Sequence, residues 1–195
     1  MWTRTQLARL LALAVALTAI LVLAAQVARA GSATHSDPAV SAVASIFAMR
    51  TIEATCYEPG EPNDPYAEGA WGYYSLPDPG RINLAKEMCD GIEAVRAHDV
   101  SVPAWERAVG VLVLIHESYH ARQWEWSWNE AHVECMAIRH FLVGVRLLGG
   151  TAEEADALLP YALAFHYRLG VLFPAYSLPT CRAPWYYPPG GPRGH

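Results

Sequence analysis

The segment Trp105–Ile115 reads WERAVGVLVLI, and HESYH follows it directly at His116–His120. Its end, VGVLVLI at Val109–Ile115, is an uncharged apolar run that makes its helix a buried one. Ser101 can cap that helix and Pro103 suits its first turn. The chain must therefore enclose one long helix whose C-terminal end carries His116, Glu117 and His120. Groups placed there would be held rigidly and partly dehydrated.

On a helix, residues four apart share a face, so His116 and His120 present two imidazoles to one point. That suits a tetrahedral zinc ion, and Glu117 sits one step round, close enough to serve as a general base. A catalytic zinc site needs a third protein ligand and an open position. The following helix, expected over about Asn129–Leu148 and stopped by Gly149-Gly150, offers Glu130 and Glu134 on one face. One of them can bind the metal while the other braces a ligand histidine.

HESYH followed by NEAHVE resembles the gluzincin metallopeptidases, whose HExxH is followed on a later helix by Glu-x-x-x-Asp. The resemblance implies Glu130 as third ligand and Glu134 as the carboxylate that holds His116, with Glu134 the alternative ligand. Two departures stand out: Glu replaces Asp at 134, and nine residues separate His120 from Glu130. The wider pattern His116, Glu117, His120, Arg122, Glu130, Ala131, Glu134, Cys135 and Ala137 also resembles a group of small, largely uncharacterised exported actinobacterial proteins of predicted metallopeptidase type. The likeness spans about residues 70–150. It implies one Zn2+ ion, a peptide or protein substrate, and hydrolysis by a zinc-activated water with Glu117 as general base. Many gluzincins place an oxyanion donor on a later helix, where this chain has Tyr161, His166 and Tyr167.

Compartment and charge fit that picture. Arg4 and Arg9, an uncharged apolar run Leu10–Ala25 and Ala28-Arg29-Ala30 read as a secretory signal peptide over residues 1–30, or an uncleaved anchor there. An extracytoplasmic protein, secreted or tethered by its N-terminus, is expected, with residues 31–195 as one domain. Without residues 1–30 the chain holds 11 basic against 19 acidic residues, a net charge of −8. No basic patch is left for nucleic acid, and contact with a membrane is expected only through residues 1–30 if uncleaved. Composition leaves the oligomeric state open. Four cysteines in an exported chain suggest two disulfides. Of three possible pairings, sequential order gives Cys56–Cys89 and Cys135–Cys181.

Elsewhere, Val40, Val43, Ile46 and Phe47 recur at helical spacing within Ala39–Arg50. Trp71–Leu76 and Arg81–Leu84 are candidate strands of a small aromatic-rich hairpin, joined through Pro77–Gly80. Trp71–Leu76 is the candidate edge that would align an extended peptide. Thr151 opens a capping box with Glu154 for a helix to about Gly170. The tail from about 174 is expected to be irregular. The fold class expected is α+β, mostly α, with a zincin-like helical core. Trp124 and Trp128 suit a hydrophobic clamp between helices. The rival expectation is a non-catalytic exported zinc-binding protein that uses its Trp-rich loop on a cell-wall or protein partner.

Overall fold

The computed structural model describes residues 35–74, 78–122 and 129–176. In chain order the elements are β1 (His35–Ser36), α1 (Pro38–Ala48), β2 (Glu53–Tyr57), β3 (Gly72–Tyr74), β4 (Arg81–Ala85), α2 (Lys86–Arg96), α3 (Ala104–His120), α4 (Glu130–Leu147) and α5 (Ala152–Leu172), with a short 3-10 turn at Pro174–Tyr176. The class is α+β and mostly helical, with one four-stranded sheet in the order β1-β2-β4-β3. Among the described residues no helix is long and apolar enough to cross a membrane.

Helix α3 is the axis of the domain. Every residue from Arg107 to His120 is buried, as its apolar run demands. Two glycines let α2 lie directly against it. A Cβ on Gly91 would stand 2.4 Å from the Glu106 carbonyl oxygen, and one on Gly110 would stand 2.5 Å from that of Met88. Helix α4 packs antiparallel to α3 on another side, with Gly144 against Val111 and Ile115 while Glu134 meets His116. Helix α5 docks through Ala155, Leu158, Ala162 and Leu169. Its N-cap is the expected one, Thr151 accepting from the Glu154 amide at 3.1 Å. The α3 cap differs from expectation. Pro103 occupies that position without a side-chain cap, and the Ser101 amide instead donates to Asp99.

The hairpin expected between Trp71–Leu76 and Arg81–Leu84 is present as β3 against β4, with Tyr73 opposite Asn83. Residues 75–77 lie outside the described residues. The sheet is larger than two strands because β2 joins β4 in parallel, pairing Thr55 with Asn83. The two central strands bury Ala54, Thr55, Ile82, Asn83, Leu84 and Ala85, and aromatic side chains are confined to β3 and Tyr57. Cys56 and Cys89 form a disulfide between β2 and α2. Cys181 is outside the described residues, as are residues 1–30, Trp124 and Trp128. On α1 the buried stripe is Val40, Val43, Ala44 and Phe47, and Ile46 turns outward. The tail is not wholly irregular, since the 3-10 turn at Pro174–Tyr176 returns it to α3 and α4.

Candidate metal centre

The last turn of α3 and the first turn of α4 meet at one point. Asn129 caps α4, its side chain accepting from the His132 amide at 3.0 Å, and this fixes Glu130 as the first helical residue. The positive end of a helix favours a carboxylate there. Glu130 Oε2 lies 3.2 Å from His116 Nε2 and 3.3 Å from His120 Nε2, and the two Nε2 atoms are 3.0 Å apart. These three residues form a group that could hold a metal ion. The triangle suits one: donors about 2.0–2.1 Å from a tetrahedral ion are about 3.3 Å from each other. The two imidazoles are nearly enclosed, and Glu130 is the more open member.

Glu134 lies one turn further along α4 and reaches the other side of the first imidazole. Its Oε2 accepts from His116 Nδ1 at 2.7 Å, and its Oε1 accepts from His166 Nδ1 at 3.1 Å. Glu130 is thus the carboxylate placed with both Nε2 atoms, and Glu134 is the one placed behind His116. A hydrogen bond at Nδ1 settles the tautomer and leaves Nε2 to bind.

The electrostatics follow from crowding acids around two imidazoles. Burial disfavours a charged His116, but its hydrogen bonds to Glu130 and Glu134 outweigh that and push it up to about 10. Burial likewise opposes the charge on Glu134, yet the bonds from His116 and His166 hold it down to about 2. Glu130 is held well below the usual carboxylate range by His116 and His120 against its own burial. Glu117 moves the other way. Burial raises it, the two histidines pull it down only in part, and the Tyr74 amide donates to it. The cluster's surplus of negative charge keeps a proton on His116. A divalent cation is the other species that would satisfy it, releasing that proton.

A cavity of about 230 Å³ opens beside the group. Trp71, Gly72, Leu112, Val113, Phe165 and Tyr176 are among its walls, and His116, Glu117 and Glu134 contribute its polar side. Gly72 is needed for the fit. A Cβ there would stand 2.9 Å from Val113 Cγ1 and 3.1 Å from Glu117 Cγ. Strand β3 therefore offers only a glycine where the Val113 and Glu117 side chains of α3 meet it.

No family model, curated protein or solved structure matches this chain. The functional reading therefore rests on the site's own geometry.

The three expected oxyanion donors all lie on the later helix, α5, and differ in where they turn. Tyr161 and Tyr167 are exposed on α5 and do not line the cavity. His166 does turn inward, but its Nδ1 is committed to Glu134. The helical phase explains Tyr167, two residues past Phe165 and turned from the face that Phe165 and Leu169 give to the cavity; Tyr161 shares that face but lies a turn before Phe165, outside the cavity lining. The aromatic group that does reach the centre is Tyr176. Its ring stacks on His116 at 5.8 Å and 26°. Burial, with Glu130, Glu117 and Glu134 nearby, raises its phenol well above the ordinary value, so it keeps its proton. Nothing local in the proline-rich tail marks Tyr176. Its place depends on the length of α5, which only the fold sets. His140 is a satisfied packing residue, bonded to the Tyr119 hydroxyl and the Met136 carbonyl. Arg122 lies over the Tyr119 ring and meets the Met49 sulfur. His98 pairs with Glu154.

Proposed function

We propose that this chain is a zinc-dependent peptidase. The observation that carries the reading is the convergence of His116 Nε2, His120 Nε2 and Glu130 Oε2 to within 3.3 Å of one another, with Glu117 on the cavity wall beside them. Three protein donors beside an open cavity match a catalytic zinc site better than a closed structural one. A zinc ion held there would supply Lewis acidity and bring the pKa of a water down to about 7.

Glu117 takes a proton from the attacking water and passes it to the leaving amine. Its raised pKa suits a group that must carry a proton between two partners. Glu134 holds His116 in the tautomer that presents Nε2. Tyr176 keeps a protonated hydroxyl beside the site, hydrogen-bonded to the Glu130 carboxylate, and turned from Glu130 it would donate to developing negative charge. Strand β3 is the edge of its sheet. The bond from the Ala85 amide to the Trp71 carbonyl turns the main chain of Trp71 toward β4. By alternation the main-chain groups of Gly72 and the Tyr74 carbonyl turn away from β4, while the Tyr74 amide is taken by Glu117. An extended peptide can align along that edge, with side chains against Trp71 and Phe165.

The test is Glu117→Gln, assayed for zinc content and for cleavage of a quenched-fluorescence peptide library with and without chelator. Zinc should remain bound at one ion per chain while turnover falls by about 10²–10⁴-fold. A Glu117→Gln protein as active as its parent would refute the role.

A further inference from the structure

Glu134 is one of the most enclosed side chains of the domain, at 2 % exposure. A carboxylate in that position must have both oxygens matched. His116 takes Oε2, and the partner of Oε1 is His166, which comes from a helix that supplies no ligand. We propose that His166 is a positioning residue of the metal centre, acting on His116 through Glu134. The proposal rests on His116, His120 and Glu130 being a zinc site.

The argument is geometric. The terminal torsion of a glutamate is broad and roughly two-fold, so a carboxylate gripped at one oxygen can still swing. Gripped at both, it has one plane. In that plane Oε2 stays 2.7 Å from His116 Nδ1 and the ring keeps Nε2 directed at His120 and Glu130. His166 is not needed to dock its helix, because Ala155, Leu158, Ala162 and Leu169 already bury α5 against the core. Its contribution therefore falls on the site and not on the docking of α5. Helix α5 also lends Phe165 and Leu169 to the cavity wall. One helix thus shapes the substrate cleft and braces the metal ligand behind it.

The experiment uses the full chain and two substitutions. His166→Leu removes the donor, and His166→Asn places an amide nitrogen where Nδ1 stood. Zinc affinity is measured by competition with a chelating indicator, and ligand geometry by the visible spectrum of the Co2+-loaded protein. His166→Leu should bind zinc about tenfold more weakly, the low end of what a lost outer partner costs, and should shift the cobalt bands. His166→Asn should recover both to within about threefold of the parent and a parent-like spectrum. His166→Leu matching the parent in affinity and spectrum overturns the proposal, as does His166→Asn behaving like His166→Leu. Should His166→Leu fail to fold, His166→Asp takes its place, with the shape of Asn and an acceptor in place of the donor. A parent chain that binds no zinc brings down the metal site itself. A parent that binds while the variants are unaltered brings down this brace alone.

Discussion

Replacing Glu134 and Glu130 in turn separates ligand from brace. Glu134 is a buried carboxylate between two imidazoles, whereas the Glu130 side chain is 35 % exposed. Glu134→Ala leaves His116 and His166 without their acceptor in a site that water barely reaches. Breaking a buried charged pair from one side costs about 3–5 kcal/mol. In a domain of this size about 1 kcal/mol moves the midpoint by roughly 2–4 °C, so the metal-stripped variant should melt about 6–20 °C lower. Its zinc affinity should fall by only about 10–100-fold, because all three donors remain. Glu134→Gln keeps the volume but offers one acceptor oxygen where two are used, and should lie between parent and Ala on both scales. Glu130→Ala should show the opposite pattern: a midpoint within about 3 °C of the parent, by the same conversion, and no stoichiometric zinc. The assays are circular-dichroism melting of stripped protein and competition titration of zinc. Near-parent stability with abolished binding in Glu134→Ala, and the reverse in Glu130→Ala, would refute the assignment.

Three further outcomes follow from the same geometry. In stripped protein the raised His116 contributes stability that is full below pH 6.5 and is lost as pH rises through about 10, while the depressed Glu134 contributes stability present above pH 4.5 and lost as pH falls toward about 2. The midpoint should therefore be highest between those limits, and His116→Asn should remove most of the alkaline decline; a parent midpoint that is level from pH 6.5 to 10 contradicts this. Tyr176→Phe keeps the ring on His116 but removes the hydroxyl, so peptide turnover should drop about 10²-fold with zinc still bound, and an unchanged kcat would exclude the donor role. Gly110→Ala gains about 1 kcal/mol of helix propensity but drives a Cβ to 2.5 Å from the Met88 carbonyl oxygen, where crowding costs about 1–3 kcal/mol; a lower midpoint with unchanged zinc affinity is expected, and a higher one would show that α2 can move aside.

What could be read from the chain was whatever short-range rules govern. The spacing of His116 and His120 fixes a shared helical face, and the apolar run before them fixes burial, so the end of α3 was legible as a site. The helical spacing in α1, the capping box of α5 and the hairpin through Pro77–Gly80 are equally local. Elements that owe their place to distant partners were not legible. Helix α2 was missed although Met88, Ile92 and Val95 recur at helical spacing, and its seat on α3 is set by two glycines that mean little until the helices meet. Strand β2 is short and pairs in parallel with a strand that comes 28 residues later, from Glu53 to Arg81. The same limit explains the site residues. Glu130 and Glu134 were visible as a pair on one face, but which of them faces both imidazoles is decided by the Asn129 cap and the packing of α4 on α3. Tyr176 and the commitment of His166 to Glu134 depend on where α5 ends and how it is turned, which no local pattern encodes.

The sulfur link between Cys56 and Cys89 closes a ring of backbone, and the strand that would receive a substrate lies inside that ring, while His116, His120 and Glu130 lie outside it. On the proposed reading, grip on the polymer and grip on the ion would thereby be tied down separately. A reducing milieu would slacken the first and spare the second, so cleavage would fade in a chain that still carries its full complement of metal.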